Sequence, residues 1–258
     1  MGDDVLNDVR ITEHIIRRHS KELLSMLNAD VVVVGAGPSG MVCASILADN
    51  GLSTLIIERR LSIGGGIWGG GIGFPVIVVQ ESAVQILRDA GIAVEHAGED
   101  YYTANAVEVA VKLCAYAIDK GARILNCMHV EDVLIKDNRV AGVVVNSSAI
   151  AMAGLHVDPV TIGARYVVDA TGHDASVCNV VAKKVGGIEI KGEGAMCAHL
   201  GEMSVVENSK EVFPGLFVAG MAANAVFGAP RMGPIFGGMF LSGKKIAEEI
   251  LKKEEGKT

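Results

Sequence analysis

The chain has 258 residues, half of them hydrophobic, which suffices for one large α/β domain or for a domain with a small insertion. Its net charge of −7 argues against nonspecific nucleic-acid binding, because proteins that bind the phosphate backbone carry a basic surface. The 32 glycines and the few aromatic residues are typical of close backbone packing around a ligand, not of a surface on which bases stack.

Three features predict a cytoplasmic protein without a membrane span. The N-terminus is acidic at Asp3 and Asp4 and lacks the apolar core of a signal peptide. Val212–Pro230 is uncharged, but its prolines and glycines indicate a buried strand and loops. The five cysteines are unclustered and contain no C-x-x-C pair, as expected of small apolar residues in a reducing compartment.

After a predicted helix at Ile11–Leu27, a glycine-rich loop organises the chain. Four consecutive valines predict a buried parallel strand, and the following G-x-G-x-x-G pattern opens a helix of small apolar residues. In such a loop Gly35 permits the turn, Gly37 lets the backbone approach a pyrophosphate, and Gly40 lets helix and strand pack closely. The helix N-terminus then offers free N–H groups to the phosphates.

Glu58 ends the second predicted strand, Ser53–Ile57, about 20 residues past the glycine loop. A carboxylate at this spacing accepts both hydroxyls of an adenosine ribose and repels the 2′-phosphate of NADP. The sequence therefore favours NAD, FAD or another ADP-ribosyl compound. The next stretch, Ile63–Gly73, is too rich in glycine for a strand or helix, and we interpret it as a loop over a ligand or as a structural crossover.

The remaining elements predict a doubly wound, Rossmann-like parallel sheet of the α/β class with a smaller antiparallel β layer. Short elements at Pro75–Val79 and Glu81–Asp89 precede a long predicted helix at Thr103–Lys120. Two strands joined by a turn at Asp137-Asn138 then suggest an antiparallel layer at approximately 122–162. We expect a single dinucleotide-binding domain over residues 1–258.

Two further segments extend the likeness. Arg165–Gly172 is an apolar strand that ends in a small-residue turn, and Leu216–Gly220 (LFVAG) precedes a glycine-rich turn and a final predicted helix at Ser242–Lys253. With the glycine loop and Glu58, they resemble the two-dinucleotide-binding-domain flavoprotein superfamily, whose nucleotide-binding fold is glutathione-reductase-like. In that superfamily an acidic residue usually follows LFVAG and holds the flavin. Here Met221 stands in its place, which speaks against a flavin.

Beyond the superfamily, the chain closely resembles the thiamine thiazole synthase family in its archaeal form. The likeness is carried by the motifs His156-Val157-Asp158-Pro159, DATGHDA (169–175) and APRMGPIFGG (229–238), together with the N-terminal helix and the Glu58-Arg59 pair. It implies an enzyme that builds the thiazole half of thiamin from NAD, glycine and a sulfur source. Nicotinamide is lost, the opened ribose condenses with glycine, and sulfur addition and cyclisation give an ADP-thiazole carboxylate.

The resemblance also implies roles for individual residues. It implies an Fe(II) site formed by Asp158 and His173, each from a different subunit of an octamer, with Arg231 holding the glycine carboxylate. The dinucleotide would contact Ser39, Glu58, Arg59, Gly66, Val130, His156, Val157, Asp158 and Met221, beside the loop glycines Gly35, Gly37 and Gly40. The implied catalytic centre comprises His156, Asp158 and His173. By ligand type alone, the metal could also be Mn, Co or Zn.

His156 occupies the position where plant and fungal members of the family carry a cysteine that surrenders its own sulfur. Histidine has no sulfur to give, so the resemblance implies external sulfide and multiple turnovers. His156 itself is either a proton shuttle or a residue that fills the space of the missing cysteine. Arg231 is the lone charge between Glu211 and Lys244, so it needs an anion, either a substrate carboxylate or an internal acid.

Two other functions fit parts of the pattern. One is an FAD-dependent oxidoreductase, which Met221 disfavours. The other is a non-catalytic ADP-ribosyl-binding module, which would bind the nucleotide tightly without changing it. His96, His129, His199 and Glu202 belong to no motif, and we interpret them as structural.

Overall fold

The computed structural model describes residues 6–256, in which helices flank a central sheet. The helices are α1 (Asp8–Met26), α2 (Pro38–Asp49), α3 (Glu81–Asp89), α4 (Ala106–Asp119), α5 (Ser148–Ala153), α6 (Ser176–Lys184), α7 (Ala198–Asn208), α8 (Met221–Phe227) and α9 (Gly237–Glu255). The strands are β1 (Asn28–Val34), β2 (Thr54–Ile57), β3 (Val76–Gln80), β4 (Glu95–Gly98), β5 (Tyr101–Asn105), β6 (Arg123–Leu125), β7 (Met128–Lys136), β8 (Arg139–Ser147), β9 (Val160–Asp169), β10 (Lys210–Phe213) and β11 (Leu216–Val218). The acidic N-terminal residues Asp3 and Asp4 lie outside the described range.

The core of the central sheet has the order β10-β11-β9-β1-β2-β6, and all its pairings are parallel except that of β10. The valines of β1 explain this arrangement. Val32 and Val34 pack on one face with residues of α6 and α8, whereas Val31 and Val33 pack on the other face with residues of α2 and α9. Because successive side chains of a strand point to opposite faces, a continuous valine run needs a cover on both sides. The predicted doubly wound parallel sheet is confirmed.

The antiparallel strands are arranged differently from the expectation. The turn at Asp137-Asn138 joins β7 to β8 with φ of 48° and 55°, as a tight hairpin turn requires. These strands fall within the expected range of 122–162, but β8 also pairs with the first half of β9, which links them by hydrogen bonds to the central sheet. A separate antiparallel sheet, of order β3-β5-β4, lies earlier in the chain, where the sequence predicted no strand after β3.

The start of one predicted helix was also wrong, because its first residues belong to this sheet. Residues 103–105, assigned to the helix Thr103–Lys120, pair with β3 as the end of β5, and α4 begins only at Ala106. The Asn105 side chain accepts a hydrogen bond from the Glu108 backbone N–H and so caps the helix. The capping residue, and not the apolar spacing, therefore marks the boundary.

Glycine-rich segments also form more helix than the sequence suggested. Ile63–Gly73 contains a short 3-10 helix at Gly65–Gly69, and α9 begins at Gly237, five residues before the expected start. A Cβ added at Gly237 would lie 2.0 Å from Gln80 Oε1, and one added at Gly238 would lie 2.1 Å from Glu202 Oε2. Close packing therefore requires glycine here and overrides its poor helix propensity.

Two buried or half-buried helices, α7 and α8, were not predicted. Helix α8 occupies most of the second half of Val212–Pro230, where the sequence indicated a strand and loops. Among residues 6–256, none of the helices is both long enough and apolar enough to pass through a lipid bilayer. The segment is instead covered within the fold, with β11 in the sheet and α8 packed behind it.

Candidate functional site

A cavity of about 740 Å³ lies where β1, β2 and β9 end at their carboxyl edge. Its volume falls in the range of about 300–1,000 Å³ that is typical of ligand pockets, and open α/β sheets bind their ligands at this edge. Ten residues that the sequence assigned to a site line this one cavity: Gly35, Gly37, Ser39, Glu58, Arg59, Gly66, Val130, His173, Met221 and Arg231.

The glycine loop forms one wall of the cavity. Gly35 has φ of 105°, and a Cβ there would lie 2.4 Å from the Ala170 carbonyl oxygen. Gly40 lies in α2 outside the lining, where a Cβ would be 2.0 Å from the Gly35 carbonyl oxygen. Gly37 differs from both, because a Cβ there would meet nothing within 4 Å. The loop is thus closed on the protein side and open on the side where backbone N–H groups face a ligand.

Glu58 faces the cavity and is hydrogen-bonded to the glycine loop. Its Oε2 accepts a hydrogen bond of 2.9 Å from the Ala36 backbone N–H, and its Oε1 accepts one of 2.9 Å from the Arg60 backbone N–H. The residue is buried. Because an ionised carboxylate offers about four acceptor positions, two remain for a ligand hydroxyl. Glu58 therefore both shapes the loop and lines the cavity.

The segment Ile63–Gly73 packs directly over the glycine loop. The Gly64 backbone N–H donates to the Ala36 carbonyl oxygen at 2.8 Å, and a Cβ at Gly65 would lie 3.1 Å from the Gly37 Cα. Gly66 lines the cavity with nothing within 4 Å of its Cβ position. The segment is therefore part of the cavity wall, which favours ligand contact over a structural crossover.

A cluster of three side chains brings together the predicted metal ligand and the predicted anion anchor. Glu193 accepts hydrogen bonds from His173 Nδ1 at 2.6 Å to Oε1 and 2.8 Å to Oε2. Its Oε2 also lies 3.8 Å from Arg231 Nε. The side chain of Glu193 is only 14% exposed, whereas those of His173 and Arg231 are 54% and 58% exposed. Arg231 thus has the internal acid that the sequence left open as a partner, with its guanidinium still accessible.

Glu193 belongs to no sequence motif, and no expectation was attached to it. It stands alone among glycines in Lys191-Gly192-Glu193-Gly194, 20 residues from His173. An acidic residue between two glycines is the one local signal, since it suggests a side chain held close to other backbone. His129, interpreted as structural, also lines the cavity beside Val130.

His156, Val157 and Asp158 do not join the cavity of their own chain. All three are exposed, and none contributes to the lining among the described residues. The Asn146 side chain donates to the Val157 carbonyl oxygen at 2.9 Å and anchors the segment near the end of β8. Residues 6–256 contain no group of three or more His, Cys, Asp or Glu side chains that could hold a metal ion.

The cysteines differ in burial. Cys43 and Cys178 are fully buried, and burial raises the pKa of both thiols, with the Asp169 carboxylate adding to the effect at Cys178. A raised pKa keeps a thiol protonated and unreactive. Cys197 is half-buried at the start of α7, and its backbone N–H donates to the Arg231 carbonyl oxygen at 3.0 Å.

Known proteins of the same architecture identify the family. A sequence model of the Thi4 family matches residues 12–236. The thiamine thiazole synthase of Pyrococcus horikoshii is 55% identical over 96% of this chain and 99% of its own length. That of Methanococcus maripaludis is 52% identical over 97% of each. The crystal structure of Thermovibrio ammonificans THI4 has a TM-score of 0.95 at 47% identity and covers 98% of this chain and all of its own. The chain therefore belongs to the Thi4 family, whose relatives are thiamine thiazole synthases, enzymes of thiazole synthesis.

Proposed function

We propose that the chain converts NAD, glycine and sulfide into an ADP-thiazole carboxylate, the thiazole precursor of thiamin, with release of nicotinamide, Fe(II) at the site and multiple turnovers. The observation that carries the proposal is that the glycine loop, His173 and Arg231 line a single cavity. In the proposed reaction the dinucleotide requires the loop, the metal ion requires His173, and the carboxylate of the small amino acid requires Arg231.

The dinucleotide end uses backbone and carboxylate chemistry. The pyrophosphate lies against Gly37 and the N-terminus of α2, where Pro38 at the first helical position leaves the following N–H groups free. Glu58 accepts the hydroxyls of the adenosine ribose. Arg59 lies at the cavity wall in an ion pair of 3.0 Å with Asp174, next to His173.

One chain supplies only part of the iron site. His173 offers an imidazole nitrogen at the cavity, but Asp158 is exposed and stands outside the lining. We propose that Asp158 reaches His173 of a neighbouring subunit, so that the site and the octamer form together. When bound, Fe(II) would polarise substrate oxygens and hold sulfide at open coordination positions. Two protein ligands leave such positions open.

An exposed apolar face supports the oligomer. Helix α1 presents Ile15, Ile16 and Leu24 with 64%, 59% and 70% of their surfaces exposed. The Asn7 side chain accepts hydrogen bonds from the backbone N–H groups of Val9 and Arg10 and so caps the helix. The helix is therefore stabilised at its N-terminus although few of its side chains are buried. An apolar patch of this kind is typical of a surface that another subunit covers.

Arg231 holds the glycine in the proposed reaction. Its Nε faces Glu193, while the terminal nitrogens of its fork remain for a substrate carboxylate. A bidentate contact would fix both the position and the plane of that carboxylate. The amino group of glycine would then lie near the metal ligand His173, because Glu193 joins the two residues.

In this proposal sulfur comes from outside the protein. His156 has no sulfur, and burial keeps the thiols of Cys43 and Cys178 protonated. The five free cysteines are typical of a reducing cytoplasm, where sulfide and Fe(II) both persist.

Anaerobic turnover with NAD, glycine, Fe(II) and sulfide in excess tests the proposal. Product should exceed enzyme, should vanish without sulfide, and should leave the intact mass of the protein unchanged. Cys197→Ala should turn over like the wild type. If the wild-type chain instead loses the mass of one hydrogen sulfide and product stops at one per subunit, a cysteine is the donor and the external-sulfide proposal is wrong.

Mass spectrometry of the ligand released by denaturation separates the alternatives. A flavin with its visible absorbance would indicate an oxidoreductase, and unchanged NAD or ADP-ribose after incubation with all substrates would indicate a binding module. Met221 is buried at the start of α8, in the place of the flavin-binding acid, so a colourless protein is expected.

A further inference from the structure

The carboxylate of Glu193 occupies an unusual position between two site residues. Both of its oxygens lie within 2.8 Å of His173 Nδ1, and one also lies 3.8 Å from Arg231 Nε. The carboxylate does not itself line the cavity, whereas His173 and Arg231 do. As seen from the cavity, the carboxylate therefore lies behind His173 and Arg231.

The backbone holds Glu193 firmly in this place. The residues around it are tied to the chain before Arg231 by four hydrogen bonds of 2.9–3.2 Å: Lys191 N–H to Val226 O, Gly192 N–H to Ala225 O, Gly194 N–H to Ala229 O and Cys197 N–H to Arg231 O. A bridge between Gly194 and Pro230 continues the same contact. The loop that carries Glu193 is thus held by hydrogen bonds against the separate segment that carries Arg231.

We propose that Glu193 is a positioning residue that orients His173 as a metal ligand, an inference that rests on the proposed iron site. A carboxylate at Nδ1 accepts a hydrogen bond from the Nδ1–H, so the lone pair of a neutral imidazole lies on Nε2. This is the form that binds a metal. Histidines that bind metals commonly donate their other N–H to a carboxylate, which sets the tautomer and the ring orientation.

A direct ligand role for Glu193 fits the geometry less well. Both oxygens are engaged with Nδ1, and the carboxylate is mostly covered by protein. To bind a metal at Nε2 it would have to leave Nδ1, because the two ring nitrogens point in different directions. A purely structural ion pair is the second alternative, and it predicts an effect on stability but none on metal binding.

Metal binding by the full-length protein separates these alternatives without any measurement of activity. Fe(II) is titrated anaerobically into wild type, Glu193→Ala, Glu193→Gln and His173→Ala, with Glu189→Gln as the control. Glu189 is an exposed acid four residues away, so this variant changes the same charge outside the site. Affinity for NAD and the unfolding temperature are measured on each variant.

Glu193→Ala should weaken Fe(II) binding about 10- to 100-fold, which is the usual effect of removing such a partner. Glu193→Gln should lose less, because its amide oxygen still accepts from Nδ1. Both should match Glu189→Gln in NAD affinity. With Co(II) as the probe, the wild type should show a metal-shifted proton signal from Nδ1–H that exchanges slowly, and in Glu193→Ala this signal should vanish through fast exchange with water.

Wild-type Fe(II) affinity in Glu193→Ala, beside a loss in His173→Ala, would overturn the positioning role alone. A Co(II)-shifted N–H signal that persists in Glu193→Ala would also overturn it. If His173→Ala binds Fe(II) like the wild type, the proposed iron site itself is wrong and this inference falls with it. Should Glu193→Ala fail to fold, Glu193→Gln gives the same comparison at nearly constant size.

Discussion

Gly37→Ala should separate ligand binding from folding. Gly37 has φ of −82° and ψ of −176°, which alanine adopts freely, and its Cβ would meet nothing within 4 Å. Alanine reduces the freedom of the unfolded chain, so stability should stay unchanged or rise by about 0.4–1 kcal/mol. In the proposed complex the new methyl group would stand in the space that the pyrophosphate needs. Loss of a hydrogen bond to a charged group costs about 1.5–3 kcal/mol, or roughly a 10- to 150-fold weaker affinity for NAD.

The matched control is Gly51→Ala, in the turn after α2. Gly51 also has open space at its Cβ position, but its φ is 83°, where alanine is strained by about 1–3 kcal/mol. This variant should lose stability and keep its affinity, the opposite of Gly37→Ala. Calorimetric titration with NAD and thermal unfolding measure both quantities. Wild-type affinity in Gly37→Ala would refute the placement of the pyrophosphate, and a stability loss equal to that of Gly51→Ala would refute the open-space argument.

Three further changes test the site and its support. Glu58→Gln places an amide N–H₂ against the backbone N–H of either Ala36 or Arg60, so it should lower NAD affinity by about 1–3 kcal/mol and also lower the unfolding temperature; unchanged affinity by calorimetry would remove Glu58 from the site. Arg231→Lys keeps the charge but loses the fork, so steady-state kinetics should show the KM for glycine rising about tenfold or more at unchanged NAD affinity, whereas an unfolded variant would make Arg231 structural. Burial raises the pKa of Glu202 above its ordinary value of 4.5, although Gln80 and the backbone amides of Gly238 and Gly237 oppose the shift. The folded protein therefore keeps a proton that the unfolded chain releases, and stability should fall as the pH rises from about 4.5 to the raised pKa; a Glu202→Gln variant with the same pH dependence in urea unfolding would contradict this.

The half of the cavity that is formed by the glycine loop and Glu58 was predictable because its signals are local. The valine run, the glycine spacing and Glu58 all lie within one strand-loop-helix-strand unit, whose geometry follows from backbone conformation and burial pattern alone. The parallel pairing of β1 with β2 follows from the short connection through α2. Even so, the sequence did not reveal that Glu58 accepts hydrogen bonds from the backbone N–H groups of Ala36 and Arg60, because these bonds depend on the direction that its side chain takes in the folded protein.

The half of the cavity that contains His173 and Arg231 depends on contacts between residues far apart in the chain. His173 and Arg231 were identified by resemblance, but the carboxylate that joins them, Glu193, carries no motif and meets them only through the hydrogen bonds between two separate loops. Strand β3 was predicted, but its partners β4 and β5 were missed for the same reason: the end of β5, which includes Thr103, is a strand because it pairs with β3. The sequence by itself determined the fold class and the conformation of the glycine loop, because local propensity and burial pattern set them. The tertiary structure alone decided which charges meet at the cavity and which residues, such as Asp158, remain outside it, because those contacts join residues far apart in the chain.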